Sequence, residues 1–208
     1  FIKNPEYVNN NKQNILLYAC KYKLEKYAIE LVKYFDVKCN PQEIDKYGNT
    51  VLKYACKNKM ETFAELIIKK FSMLCNPMKC DKLGYTALMY ACENGLENIV
   101  KIMISEFGDY CNPTQINKNN TSAFMLSCKT NTNIPSIFID NFHVNAMHVD
   151  NDVNTALIIL IQNNNIDCAK KLLQKYGNKC NLLHKNEQEN TAFILACSKS
   201  EELAFEMI

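Results

Sequence analysis

Arginine and tryptophan are absent from this 208-residue sequence, glycine and proline occur five times each, and histidine three times. All 24 cationic side chains are therefore Lys. Without the planar guanidinium fork that grips phosphates and guanines, and with a formal net charge of only +2, the chain offers little to a nucleic acid or an anionic lipid. So few glycines leave no Gly-rich phosphate loop, and no nucleophile elbow or paired-carboxylate motif appears. The chain is expected not to be an enzyme. His143, His148 and His184 form no ligand pair, and no Cys-x2-Cys occurs, so no zinc site of ordinary spacing is present. The longest apolar run, "ALIILI" at 156–161, is far shorter than the ~20 residues a membrane helix needs. No signal peptide is visible. The sequence opens on Phe1 and stops within "EELAFEMI", which reads as a piece of a longer protein. No cofactor, metal, nucleic acid or membrane is expected as a partner.

What the chain has in quantity is cysteine, eleven residues, within a composition that is 48% hydrophobic and 22% charged. The stretch "CNPMKCDKLGYTALMYACENG" (75–95) holds Cys75, Cys80 and Cys92 and looks at first like a metal or redox cluster. Self-similarity dissolves it. "NTVLKYACKNKMETFAELI" at 49–67 aligns with "YTALMYACENGLENIVKIM" at 85–103, and related blocks begin at 14, 122, 155 and 191. One cysteine column is Cys20, Cys56, Cys92, Cys128 and Cys197, with Ile161 in the fifth copy; a second is Cys39, Cys75, Cys111 and Cys180. The dominant period is 36 residues, with one step of 33. Cys80 and Cys168 fall in columns that are apolar elsewhere (Val8, Ile44 and Ile116; Phe63 and Ile99), so the thiols read as small core hydrophobes. An odd count without a signal peptide points to reduced thiols in a cytosol-like compartment.

Each copy carries helix signals. Thr50, Thr86, Thr155 and Thr191, with Asn14 and Ser122 as equivalents, precede the apolar block as N-caps. Leu88, Ala91 and Cys92 form the stripe of a short helix; Gly95 breaks it, and a longer helix follows with Ile99, Val100, Met103 and Ile104 on one face. In "NPEYV" (4–8), "NPQEI" (40–44), "NPMKC" (76–80) and "NPTQI" (112–116), Asn followed by Pro predicts a further single helical turn, pinned by the apolar residue four beyond the Asn. "DKYGN" and "DKLGY" predict tight turns. The expectation is an all-α solenoid of about six stacked helix-turn-helix copies, 9–44, 45–80, 81–116, 117–149, 150–185 and a truncated 186–208, in a single array over 1–208.

In the third copy, Asp81, Gly84, Thr86, Leu88, Ala91, Gly95, Val100, Gly108 and Asn112 match the pattern of an ankyrin repeat, which the whole chain resembles. There are departures. The Pro of the family's Thr-Pro-Leu-His block is Val51, Ala87, Ala123, Ala156 or Ala192, and its His is Lys53, Met89, Met125, Ile158 or Ile194. Copy four is irregular, with Pro135 where its second helix should begin. The Asn/Lys/Ile-rich, Arg-free style is similar to arrays encoded by large DNA viruses of protists, which would place the protein in a host cytosol.

The resemblance implies a protein-protein interaction scaffold that binds a partner protein through turn tips and the concave, short-helix surface. Carried onto matching positions, it implies contacts at Lys46, Tyr47, Asn49, Lys57 and Asn58 in copy two and at Lys82, Leu83, Tyr85, Glu93 and Asn94 in copy three. Copy four offers Lys118, Asn119, Thr121 and Lys129. These positions vary while the stripe residues stay constant, as a fixed scaffold with a variable surface would show; solvated positions free to drift would show the same. The sign of charge is uneven too, net +5 over 1–72 and −3 over 73–208. Two alternatives carry over from the family: a substrate of an asparaginyl hydroxylase, with Asn76, Asn112, Asn145 and Asn181 at the matching position, or the recognition part of a ubiquitin-ligase adaptor.

Overall fold

The computed structural model describes Asn4, Pro5 and residues 7–208. The chain divides into two compact units, Phe1–Gln115 and Ile116–Ile208. The first contains α1 (Ile15–Lys21), α2 (Glu25–Phe35), α3 (Val51–Lys57), α4 (Glu61–Phe71), α5 (Ala87–Glu93) and α6 (Glu97–Phe107). Short helices α1, α3 and α5 pack side by side in one layer, and long helices α2, α4 and α6 back them in a second. The second unit repeats the plan with α7 (Ala123–Cys128), α8 (Ile134–Asn141), α9 (Ala156–Gln162), α10 (Ile166–Tyr176), α11 (Ala192–Lys199) and α12 (Glu201–Phe205). Among the described residues there are no strands beyond two isolated bridges, Ile116 with Ser122 and Val149 with Thr155, that close turns.

The short helices start where their caps dictate. The Thr50, Thr86, Thr155 and Thr191 hydroxyls, the Ser122 hydroxyl and the Asn14 amide oxygen each accept the backbone N–H three residues on, at 2.8–3.3 Å. Burial exceeds the expected stripe. Val51–Cys56, Ala87–Cys92 and Ala156–Ile161 are buried at every position, because neighbouring short helices cover both flanks and the long helix covers the back. The long helices lack side-chain caps and instead place Glu25, Glu61, Glu97 or Asp167 in the first turn, where a carboxylate suits the positive end of the helix dipole. Ile104 is only half-buried, and Phe107 takes the core position one turn on. In copy four Pro135 enters the first turn of α8, where its missing N–H costs nothing.

The Asn-Pro turn differs from the sequence expectation. Each long helix ends in a 3₁₀ turn, Asp36–Cys39, Ser72–Cys75, Gly108–Cys111 or Gly177–Cys180, and the following Asn is its C-cap in the left-handed region, at φ of 48, 52, 56 and 55°. Asn tolerates this conformation better than other residues with a side chain. Pro then occupies a β-turn closed by Glu43 N–H to Asn40 O, Lys79 to Asn76 and Gln115 to Asn112 at 3.2–3.3 Å. No helix starts there. In "NPEYV" the Tyr7 N–H reaches Asn4 O at 3.4 Å, while Glu6 lies outside the described residues. The predicted apolar pin is also weak, since Ile44 and Cys80 are half-buried and Val8 and Ile116 exposed. The segment is held by Cys39, Cys75, Cys111 and Cys180, all fully buried, and in the first three the thiol donates to the carbonyl of residue 36, 72 or 108 at 2.7–2.8 Å.

All eleven cysteines are free. Burial pushes the thiols of Cys75 and Cys111 up to about 12 and those of Cys39 and Cys180 to about 11, which suppresses the thiolate that metals and oxidants need. Cys168 is buried as the core reading requires; Cys80 is half-buried and Cys197 exposed. Cys197 lies on α11, whose outward face also exposes Phe193 and Ile194, and beyond it Leu203 is buried while Phe205 and Ile208 are open.

At the first residue of each 3₁₀ turn the chain passes through φ of 45–51° and ψ of −124 to −133°, a region natural only to glycine. Gly108 and Gly177 hold it freely, and a Cβ at either would stand in open space; Asp36 and Ser72 hold it under strain. Ser72→Gly is expected to stabilise the first unit by about 1 kcal/mol, read as a higher urea midpoint, with Gly108→Ser moving it the other way. An unchanged midpoint in both would show that the turn relaxes.

Candidate interaction surface

The turns of the first unit are built on one carboxylate each. Asp45 Oδ1 accepts the Tyr47 and Asn49 N–H groups at 2.9 and 2.8 Å, and Asp81 Oδ1 accepts those of Leu83 and Tyr85 at 2.9 Å. Gly48 closes the first turn at φ 84°, and a Cβ there would come within 3.1 Å of Asp81 Cα and the Cys80 carbonyl. Successive turns are laced by backbone bonds, Lys46 N–H to Asn11 O at 2.9 Å and Lys82 N–H to Tyr47 O at 3.1 Å. From the short helix behind, the Tyr54 hydroxyl donates to Asp45 Oδ2 at 2.7 Å and that of Tyr90 to Asp81 Oδ2 at 2.8 Å. Burial works against the Asp45 charge, but the N–H groups of Asn49 and Tyr47, the Tyr54 hydroxyl and the Asn49 amide outweigh it and hold the carboxyl below its usual range.

This Asp–Tyr pairing, nine residues apart, is not among the sequence expectations, and it is confined to copies two and three, since copy one carries Asn9 with Tyr18 at those places. Where the tyrosine gives way to Leu126 or Leu195, the turn residue becomes Asn117 or Asn186. In copy five Asp150 remains although the matching helix residue is Ile159, and its buried Oδ2 accepts no hydrogen bond among the described residues but lies 3.3 Å from the Lys129 ammonium.

The positions taken from the resemblance fall into two groups. Lys46, Tyr47, Lys57, Lys82, Leu83, Glu93, Lys118 and Asn119 are exposed, and Tyr85 is half-buried, its ring stacked on Tyr90 at 4.8 Å. The others are engaged within the fold. Asn49 gives its amide to Asp45 and Tyr54. Asn58 and Asn94 donate to the terminal carbonyls of the preceding short helix, Cys20 at 2.7 Å and Cys56 at 3.0 Å, so their task is to stitch copies together. Thr121 is buried at 3% exposure and donates to the Asn119 carbonyl, and Lys129 is drawn to Asp150.

The lysines of the tips and short-helix ends meet rings. Lys46 and Lys82 stand 5.1 and 5.4 Å from the Tyr47 ring, Lys57 is 5.2 Å from Tyr90, and Lys21 is 5.4 Å from Tyr22. Two of these contacts join sequence neighbours, Lys21 with Tyr22 and Lys46 with Tyr47, and two join residues of successive copies, Lys57 with Tyr90 and Lys82 with Tyr47. The histidines make no constellation. His148 Nε2 is bonded to the Asn120 carbonyl at 2.7 Å, and His184 Nε2 lies 2.9 Å from the Val153 carbonyl. The loop asparagines Asn76 and Asn112 point their amides at the carbonyls of Gln42 and Met78 in the preceding copy, at 2.8 and 3.5 Å. Among the described residues no group of three or more His, Cys, Asp or Glu could hold a metal ion, and no helix is long and apolar enough to cross a membrane.

Stacked helix-turn-helix copies, with turns laced to one another in the first unit, define a helical repeat protein. The family pattern "Ankyrin repeats (3 copies)" matches residues 27–114, 70–148 and 109–184, and the chain belongs to the ankyrin-repeat family. Repeats of this family generally mediate protein–protein interaction and are typically non-enzymatic. No curated protein matches the chain. Among solved structures, the ankyrin repeat protein EF0377 aligns with TM-score 0.68 at 20% identity, covering 92% of this chain and 94% of that one. The ankyrin repeat domain of Bcl-3, a member of the IkappaB family, aligns with TM-score 0.65 at 17% identity over 95% of this chain and 84% of its own. A chain from the complex of the predatory endopeptidase Bd0816 of Bdellovibrio bacteriovorus with immunity protein Bd3460 aligns with TM-score 0.68 at 18% identity, covering 97% of this chain and 98% of that one. At these identities the likeness is one of fold.

Proposed function

We propose that the chain is a scaffold that binds a partner protein through the turn tips and short-helix face of its first unit, as part of one array of repeats. The observation that carries this reading is a contrast within each tip: the backbone is fixed by the Asp carboxylate and by bonds to the neighbouring turn, while Tyr47 and Leu83 remain 43% and 55% exposed. Exposed aromatic and apolar groups on a rigid frame lose little freedom on binding, which is how a few side chains come to carry most of an interface. The family-pattern matches run across the Gln115–Ile116 boundary, in keeping with one array. The complex containing Bd0816 and Bd3460 has this fold in company with a protein partner, which supports the reading by analogy.

The test is alanine substitution at Tyr47, Leu83 and Tyr85, one at a time, against a partner identified by affinity capture. At least one variant is expected to weaken binding about tenfold or more while thermal unfolding is unchanged. Unaltered affinity in all three removes the tips as the binding surface.

A further inference from the structure

We infer that the partner engaged by the first unit presents an acidic segment in which carboxylates alternate with apolar or aromatic groups. This rests on the scaffold reading and deepens it. In unit one most long-helix lysines are ion-paired, Lys26 of α2 being the exception among the described residues, and the tip lysines are not. On the long helices, Lys33, Lys69 and Lys101 are each paired with a glutamate of the same helix, Glu30, Glu65 and Glu97, at 2.6–2.9 Å, and Lys70 with Asp36 at 3.2 Å. On the tips and short-helix ends, Lys12, Lys21, Lys46, Lys57 and Lys82 make no ion pair among the described residues, and four of the five stand over tyrosine rings.

The carboxylates on that side are already engaged or peripheral. Asp45 and Asp81 accept turn N–H groups and tyrosine hydroxyls, and Glu93 lies 3.4 Å from the Tyr85 hydroxyl at the third copy. What remains is a row of ammonium groups held against aromatic surface, with Tyr18, Tyr22, Tyr47 and Leu83 each more than 40% exposed. Such a face complements a strand or loop that brings its own carboxylates to the lysines and its apolar side chains to the rings. A nucleic acid shares only part of this chemistry. With no Arg, and five lysines spaced along the face, the site lacks the charge density that phosphate-backbone binding exploits.

The experiment measures binding of the whole chain to a random glutamate–tyrosine copolymer, with a lysine–tyrosine copolymer and an oligothymidylate as comparators. Binding to the acidic copolymer is expected to weaken about tenfold as salt rises from about 0.05 to about 0.5 M. It is expected to weaken by about tenfold in the triple variant Lys46→Gln, Lys57→Gln, Lys82→Gln, and to strengthen about threefold in Glu93→Gln. The triple variant Lys33→Gln, Lys69→Gln, Lys101→Gln removes the same charge from the long helices and is expected to leave binding unchanged. Equal loss in both triples means attraction by net charge and overturns the inference, as does tighter binding of oligothymidylate than of the acidic copolymer. A captured partner sensitive to Tyr47→Ala but indifferent to salt and to the first triple sinks the acidic partner while leaving the scaffold standing.

Discussion

Lys53→Met is expected to raise the stability of the Phe1–Gln115 unit by about 2 kcal/mol at neutral pH, measured as an increased urea midpoint. Lys53 sits in α3 among wholly buried neighbours and is itself fully buried. In copies one, three, four and five the same place is held by Leu17, Met89, Met125 and Ile158, all fully buried too, while Ile194 of the last copy is exposed. The side chain's polar end donates to the Gly48 carbonyl. Burial lowers its pKa from 10.5 to about 8, with Asp81, Cys80 and Asp45 acting in the opposite sense and Lys79 reinforcing the fall. At pH 7 the ammonium is charged folded and unfolded, so the fold carries the desolvation cost, about 3 kcal/mol for a shift of this size. Loss of the hydrogen bond to Gly48 offsets about 1 kcal/mol of the gain.

The pH dependence separates this account from simple repacking. Between about 8 and 10.5 the unfolded chain holds the Lys53 proton and the folded chain does not, so wild-type stability rises with pH across that window. The Met variant lacks this rise, and its advantage should shrink as the pH climbs. A constant gap from pH 7 to pH 10 would show that Lys53 is not the titrating group. Arrays generally tolerate one misfit copy because stability is summed over repeats and their interfaces, which accounts for the survival of a lysine in a column of apolar residues.

The stripe residues and the N-caps were legible because they repeat. Six copies in register turn Thr86 or Cys92 from one residue into a column, and a column has a burial that a lone cysteine lacks. The Asn-Pro turn misled because both halves of the signal are ambiguous. Asn caps helix starts and also accepts the left-handed conformation, and Pro suits the first turn of a helix as well as the second position of a β-turn. The 3₁₀ turn that precedes it decides the matter, and its entry through positive φ at Asp36 and Ser72 is invisible in residue type, since only Gly108 and Gly177 announce it. The surface was legible as a set of positions but not as chemistry. Asn58 and Asn94 look like free polar residues until the preceding helix end is placed beside them. Two of the lysine–tyrosine contacts join residues from different copies, Lys82 with Tyr47 and Lys57 with Tyr90.

Asp45→Ala is expected to cost the first unit about 3 kcal/mol at pH 7, more than any other substitution in its turns. The carboxylate collects the N–H groups of Tyr47 and Asn49, the Asn49 amide, the Tyr54 hydroxyl at 2.7 Å and the buried Gln13 amide at 3.4 Å. Truncation strands several of these donors in a site where Asp45 is 3% exposed. Tyr54→Phe removes one donor and is expected to cost about 1 kcal/mol. Asp45→Asn should fall between, because an asparagine oxygen can hold the turn as Asn117 and Asn186 do, accepting two N–H groups each at 2.9–3.0 Å. Since the folded pKa of Asp45 is depressed, its charged form contributes fully above the ordinary carboxylate range, and that contribution disappears as pH falls through the lower folded value. The gap between wild type and Asp45→Asn in urea melts should therefore be widest at neutral pH and close in acid. A gap of the same size at pH 7 and below pH 3 would mean that the turn relies on the shape of residue 45 and not on its charge.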